Sequence, residues 1–377
     1  MTLSPAAAQA LPVIALAFAA AALLSYLLTP LAIRFAPRLG TVDLPDSERR
    51  VHRSPIPRSG GLAVAGAFIL VALAGLAANE LFHFVPALRA VRWPQVVALL
   101  AGVAVGAAIG YLDDRLQLRA RWQMLGQLLL AAIALAAGIE IDNMVNPLGG
   151  ETLSFDGAAA MAVTTVWILG MINSANFIDG LDGLLAGIAI IAAVTLGVVS
   201  LIGPPPIQPF VALLCAVLAG SLAGFLPWNF HPARVFIGTA GVFIVGYALA
   251  VLAVLGTAKV AVALLVLGVP IIDTFWVIIR RLAERRAPFS ADRGHFHHRL
   301  LDLGVSHRSA VLVIYAVCAV LAVLSMILSG RGQISAFLII VIGAGVVLFL
   351  MTRRGAADAL DPRSYQDDDD EAGTGRP

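Results

Sequence analysis

Two groups of polar residues stand out in an otherwise apolar chain. The first is the pair Asp113 and Asp114, which closes an apolar run in Gly110-Tyr-Leu-Asp-Asp-Arg115. Adjacent carboxylates repel one another unless a cation or a shared proton holds them, and at a helix end near a membrane their solvation is incomplete. The second is Asn173-Ser-Ala-Asn176-Phe-Ile-Asp179-Gly-Leu-Asp182-Gly, where a polar group recurs every third residue beside an apolar run. On a continuous helix such a repeat drifts by about 60° per step, so the four could not face one point. Gly180 and Gly183 predict that the helix opens here, letting carboxylates and carboxamides converge on a ligand. Hard oxygen donors suit Mg²⁺, with Mn²⁺ as the alternative. The bland readings are that Asp113 and Asp114 cap a helix and pair with Arg115 or Arg119, and that the Asn and Asp side chains satisfy a turn among themselves.

Two further segments are basic. Asp292-Arg-Gly-His-Phe-His297-His298-Arg299 concentrates His295, His297, His298 and Arg299, a set that can donate to the oxygens of a diphosphate. His295 and His298 also have a spacing found in zinc sites, so that alternative stands beside the anion site. The neighbouring Arg280, Arg281, Arg285 and Arg286 suit lipid headgroups. Arg49-Arg-Val-His52-Arg-Ser-Pro55-Ile-Pro57-Arg58-Ser-Gly60-Gly61 offers His52 and Arg58 in a loop stiffened by proline. Its glycines would let backbone approach a phosphate at a helix start.

The elements that must position these residues are membrane helices. The chain is 60% hydrophobic and 13% charged, with a mean hydropathy of +0.91, far above a soluble domain. Its net charge of +2 argues against a nucleic-acid partner. Cys215 and Cys318 both fall in apolar runs and suggest neither a disulfide nor a thiolate metal site. Since about 20 apolar residues cross a bilayer, the runs near 11–33, 60–79, 94–112, 122–139, 157–172, 183–203, 208–226, 235–255, 257–279, 310–329 and 333–352 predict an all-α polytopic membrane protein with about eleven spans. The first lacks a basic n-region and is too long for a signal peptide, so it is expected to remain as a span.

With the N-terminus outside, 21 Lys and Arg fall on inner segments and four on outer loops, which fixes the orientation by the positive-inside rule. Both acidic groups and the His-rich loop then meet at the cytoplasmic face. Glu140 to Gly157, between spans four and five, is expected to form a short outer hairpin. Residues 1–354 are expected to form one transmembrane catalytic domain, and the acidic stretch 355–377 a solvated, disordered cytoplasmic tail. Intramembrane acids and histidines also mark proton-coupled transporters, which place them near the midplane rather than at one surface.

Together these motifs resemble the polyprenyl-phosphate N-acetylhexosamine-1-phosphate transferases, glycosyltransferase family 4, which include the phospho-N-acetylmuramoyl-pentapeptide transferases. The resemblance rests on Asp43 through His52 with Pro55, Pro57 and Gly60-Gly61, on Asp113-Asp114-Arg115, and on Asn173 through Asp182 with Gly187. It extends through Phe225-Leu-Pro-Trp-Asn229 and His295-Phe-His-His-Arg-Leu300, the last resembling the N-acetylglucosamine-1-phosphate branch. It implies transfer of a sugar-1-phosphate from a UDP-sugar to a polyprenyl phosphate, usually undecaprenyl phosphate, with release of UMP and a need for Mg²⁺, at the start of a cell-envelope glycan on the bacterial inner membrane. Membrane lipids would surround the protein, and a homodimer is compatible with this reading.

Carried over residue by residue, the resemblance makes Asp113, Asp114, Asp179 and Asp182 catalytic. It assigns metal ligation to Asp113, Asp114, Asn176, Asp179 and the residue at 239, and substrate binding to His52, Arg58, Asn173, Asn176, Asn229, His295, His297, His298 and Arg299. One position departs: where the family shows Gly-Asp-x-Gly-Ser, this chain has Gly238-Thr239-Ala240-Gly241-Val242. A neutral hydroxyl is a weaker ligand than a carboxylate. The departure implies altered metal ligation, an impaired chain that binds lipid phosphate or nucleotide sugar, or an engineered substitution.

Overall fold

A computed structural model describes residues 4–43, 55–82, 93–146, 150–202, 207–256, 259–268, 271–272, 281, 301, 304–328 and 331–343. In lipid every backbone polar group must be satisfied within the chain, which leaves helices as the economical solution for runs this apolar. The described residues form α1 (Pro5–Leu39), α2 (Gly60–Phe82), α3 (Trp93–Leu116), α4 (Ala120–Ala136), α5 (Ala158–Ile178), α6 (Leu184–Ile202), α7 (Pro209–Asn229), α8 (Gly238–Leu255), α9 (Lys259–Val266), α10 (His307–Ile327) and α11 (Arg331–Gly343). Eight of these, all but α4, α9 and α11, are long and apolar enough to cross a membrane. The protein is a multi-pass, all-α membrane protein. Two short antiparallel pairs complete the described structure. β1 (Val42–Asp43) pairs with β2 (Ile56–Pro57), and β3 (Asn143–Met144) pairs with β4 (Leu153–Ser154) between α4 and α5.

α7 and α8 are the most buried of the spans, α1 and α10 among the least. α8 packs against α3 and α5, and α7 against α1 and α6. Exposed Leu16, Leu23 and Leu27 on α1, and Val313, Val320 and Ile327 on α10, form apolar faces suited to acyl chains. Close helix approach relies on missing side chains. A Cβ on Gly110 of α3 would stand 2.3 Å from the Ala240 Cα of α8, so these two helices meet backbone to backbone where α3 ends and α8 begins. That contact brings Asp113 and Asp114 to the N-terminus of α8.

Candidate active site

Asp113 and Asp114 lie in the last turn of α3 and are 8% and 9% exposed. The helix stops because Asp113 captures the backbone beyond it. Its Oδ1 accepts Leu118 N–H at 3.1 Å and Gln123 Nε2–H of α4 at 2.8 Å, while Gln117 takes a left-handed φ of 49°. Its Oδ2 accepts the Thr239 hydroxyl at 2.8 Å. Asp114 accepts Thr239 N–H at 3.0 Å on Oδ1 and Ala240 N–H at 3.2 Å on Oδ2. Asp114 thus caps α8 across the helix interface, with its charge at the positive end of that helix. Among the described residues neither carboxylate pairs with Arg115 or Arg119, as the bland reading expected. Arg115 instead reaches the Tyr111 hydroxyl at 3.5 Å.

Arg58 follows β2 and stands beside the carboxylates, within electrostatic reach of Asp179 and 4.0 Å from Asp43. The glycines after it do not cradle a phosphate. Gly60 N–H and Gly61 N–H donate to the carbonyls of Phe236 and Ile237, at 3.1 and 2.8 Å, and their missing side chains admit Phe225 and the α8 backbone. They fasten α2 to the segment that opens α8. The glycine that shapes the site is Gly238, with φ of 69°; a Cβ there would stand 2.1 Å from the Arg58 carbonyl oxygen and 2.7 Å from Asp114 Oδ2. Gly238→Ala should therefore shift both groups, adding to a left-handed penalty of about 1–2 kcal/mol. The expected result is a loss of at least about tenfold in turnover together with a lower melting midpoint. Wild-type values in both assays would show that the segment relaxes freely.

The third element is the break between α5 and α6. α5 runs to Ile178, six residues beyond the end expected from hydropathy, so Asn173 and Asn176 are helical rather than in the following loop. The backbone leaves the helix at Asp179 (φ −72°, ψ 44°), turns through Gly183 (φ 80°) and restarts at Leu184, as the glycines predicted. Asp179 forms no side-chain hydrogen bond among the described residues. Burial pushes its carboxyl well above the usual carboxylate range; Arg58 opposes this, while Asp114 and Asp182 add to it. Asp114 and Asp182 thus each lie within electrostatic reach of Asp179, with Arg58 as the cation acting on it. Such a set of oxygen donors, one of them without a hydrogen-bond donor among the described residues, fits a hard divalent cation.

Asp182 is held differently. Its Oδ2 accepts His231 Nδ1–H at 2.7 Å and Ala233 N–H at 3.1 Å, and its own N–H donates to His307 Nε2 at 3.0 Å. Asn229 braces this corner, accepting Gly183 N–H at 3.1 Å and donating to the Val235 carbonyl at 3.0 Å.

The chain was compared with known proteins. The model of glycosyl transferase family 4 matches residues 96–257, the stretch that runs from the first turn of α3 through α8 and holds Asp113, Asp114, Asp179 and Asp182. Over 336 residues the chain is 35% identical to the probable undecaprenyl-phosphate N-acetylglucosaminyl 1-phosphate transferase of Bacillus subtilis (strain 168), covering 87% of this chain and 89% of that protein. The chain belongs to glycosyl transferase family 4. It is also similar to the decaprenyl-phosphate N-acetylglucosaminephosphotransferase of Mycolicibacterium smegmatis, at 35% identity over 91% of this chain and 89% of the relative. The phospho-N-acetylmuramoyl-pentapeptide-transferase of Desulforudis audaxviator is 31% identical over 74% of this chain and 86% of its own length.

Within this family-4 chain, the structure brings Asp113, Asp114 and Thr239 into contact, with Arg58 and Asp179 within electrostatic reach of Asp114, and Asp182 within reach of Asp179. It gives two sequence candidates other duties. The Asn173 side chain donates to Gln127 Oε1 and to the Leu169 carbonyl, both at 2.8 Å, joining α5 to α4. The Asn229 amide is spent on the backbone, as described, so both are placed as braces rather than as free ligand groups. Asn176 is exposed and makes no side-chain hydrogen bond among the described residues. His52, His295, His297, His298 and Arg299 lie outside the described residues, as does the tail. Arg281, expected at lipid headgroups, is buried at 5% exposure. Gln123, His231, His307 and Arg308 were not foreseen. His231 follows two residues after the Asn229 motif, a signal that was available, whereas nothing in the spacing pointed to His307, 125 residues from its partner.

Proposed function

We propose that this chain transfers N-acetylglucosamine-1-phosphate from UDP-N-acetylglucosamine to a polyprenyl phosphate, giving a polyprenyl-diphosphate-linked sugar and UMP. The relatives' names supply the sugar phosphate and the lipid acceptor; the nucleotide is inferred from the diphosphate chemistry. The observation that carries the reading is Asp179, a half-buried carboxylate without a hydrogen-bond donor among the described residues and within electrostatic reach of Asp114, at one end of the helix bundle. In the net reaction a bond forms between a lipid phosphate oxygen and the donor phosphorus that bears the sugar, and the bond from that phosphorus to the UMP oxygen breaks.

Asp179, Asp114 and Asn176 would hold Mg²⁺, with Asp113 and the Thr239 hydroxyl at its edge; when bound, the ion neutralises charge on the phosphate oxygens. The chain's own residues do the rest. Asp113 locks the α3–α4 turn and orients Thr239, Asp114 fixes the α8 N-terminus, and Arg58 supplies a guanidinium to anionic substrate. Purified protein given UDP-N-acetylglucosamine, undecaprenyl phosphate and Mg²⁺ should release UMP and form a lipid-linked sugar. Neither product appearing across a panel of UDP-sugars would sink the reading.

The basic-residue asymmetry of 21 to four supports eleven spans in the bacterial inner membrane, with this site on the cytoplasmic face. Single cysteines replacing Arg115 and Asn143 should accept a membrane-impermeant thiol reagent from opposite sides, Arg115→Cys from the cytoplasm. Labelling of both from one side would break this orientation.

A further inference from the structure

The corner that carries Asp182 is closed by a helix far away in sequence. Ser306 caps α10, its hydroxyl accepting Ser309 N–H at 3.3 Å, which sets His307 in the first turn of a 21-residue helix. From that base, α10 touches both sides of the corner. His307 Nε2 accepts the Asp182 amide at 3.0 Å, and the Tyr315 hydroxyl, two turns on, donates to the Gly183 carbonyl. Arg308 Nε donates to the His231 carbonyl at 3.0 Å. The His307 and His231 rings stack, with centroids 4.2 Å apart and planes 17° from parallel. His231 in turn grips the Asp182 carboxylate through Nδ1.

Nε2 can accept an amide proton only if it carries none, so the hydrogen-bond pattern assigns His307 the neutral form with its proton on Nδ1. The ligand atoms of Asp182, His231 and His307 all lie within 4.8 Å of one another, which invites a metal reading. The stacking opposes it. A ring nitrogen directs its lone pair in the ring plane, and two nearly parallel rings lying face to face cannot both aim at one ion. Two of the three groups are also already spent on hydrogen bonds to Asp182 or from it.

We propose that His307 is a positioning residue: by accepting the Asp182 amide and backing the His231 ring, it holds the Asp182 carboxylate in place for the nucleotide-sugar donor. Oδ2 is occupied by His231 and Ala233, while Oδ1 makes no hydrogen bond among the described residues and remains for substrate. α10 is thereby a structural part of the site, though it lies outside the stretch matched by the family model. The inference rests on the donor binding near Asp182, as proposed above.

The test compares His307→Phe, which keeps a stacking ring but removes the acceptor, with His307→Gln, whose amide oxygen can reach the same N–H. Both are made in the full chain in detergent. Hydrogen exchange over residues 179–187 reads the hydrogen bond, and initial rates with varied UDP-N-acetylglucosamine read its effect. His307→Phe should speed exchange at Asp182 by about tenfold and raise KM about tenfold, with kcat changed by less than about threefold; His307→Gln should restore both to within about threefold. Unchanged exchange in His307→Phe overturns the proposal, as does a Gln variant as impaired as Phe. Saturable Zn²⁺ binding by the wild type that both variants lose would overturn it in favour of a metal site. Were the wild type to release no UMP, the transferase reading would fall, while the exchange measurement would still decide whether His307 holds the loop. If His307→Phe does not fold, Tyr315→Phe interrogates the same clamp, with faster exchange at Asp182 and Gly183 expected and wild-type exchange overturning the proposal.

Discussion

Asp179→Asn should lower turnover by about a hundredfold or more while leaving the melting midpoint in Mg²⁺-free buffer unchanged or raised. The two effects separate because Asp179 adds little to the fold. It makes no side-chain hydrogen bond among the described residues, and although Arg58 attracts the anion, burial outweighs that attraction and Asp114 and Asp182 add like charge. Replacing it by a neutral isostere removes a cost in the cation-free protein and an anionic oxygen from the active one, the expected signature of a functional carboxylate kept against stability. Asp114→Asn should lose turnover similarly but should also lower the midpoint. Its two oxygens accept the Thr239 and Ala240 amides, and an asparagine would turn an NH₂ donor toward one of those N–H groups, at a cost of about 1–3 kcal/mol. Rates at saturating Mg²⁺, read beside thermal melts with and without Mg²⁺, check both. An Asp179→Asn protein that turns over like wild type would remove this carboxylate from the chemistry.

This contrast marks how far residue types alone carried. The apolar runs gave the helices, because in lipid backbone satisfaction leaves little else, and Gly180 with Gly183 announced the break that frees Asp179. The acidic motifs were likewise visible as polar groups in costly places. Their division of labour was hidden, since it depends on contacts between distant helices. Asp113 and Asp114 were expected as equivalent ligands, yet one holds the α3–α4 turn through Leu118 and Gln123 and the other caps α8. Asn173 looked like a ligand group because an amide beside a membrane span is expensive, and Asn229 because the resemblance implied it; Gln127 in one case and the Gly183 and Val235 backbone in the other satisfy them. Gly60 and Gly61 permitted close approach as expected, but to protein backbone. His307 carried no local signature, because its role is set by the packing of α10 against α6 and by the stacking on His231.

Thr239→Asp should lower the Mg²⁺ concentration for half-maximal turnover by about tenfold, and raise the maximal rate. The resemblance drawn from the sequence implies an aspartate at this position, and the structure places Thr239 in direct contact with both carboxylates of α3. Its hydroxyl donates to Asp113 Oδ2 at 2.8 Å and its amide to Asp114 Oδ1 at 3.0 Å. A carboxylate there would exchange a donor for an acceptor and set a third anion against Asp113. Without a divalent ion that repulsion is uncompensated, so the variant should melt lower than wild type in chelator. With Mg²⁺ the same crowding becomes an additional charged oxygen ligand, so the stabilisation gained on adding Mg²⁺ should grow. Thr239→Val separates charge from shape: it keeps the branched side chain, loses the bond to Asp113, and should shift neither the Mg²⁺ requirement downward nor the Mg²⁺-dependent melt upward. Titrations of UMP release and of the melting midpoint against Mg²⁺ give independent readings. Were Thr239→Asp to need more Mg²⁺ than wild type, the neutral hydroxyl would be a ligation suited to the surrounding acids, with the added carboxylate merely repelling them. Superimposable Mg²⁺ curves for the two proteins in both assays would place residue 239 beyond the ion's ligands, leaving Thr239 as a brace for Asp113.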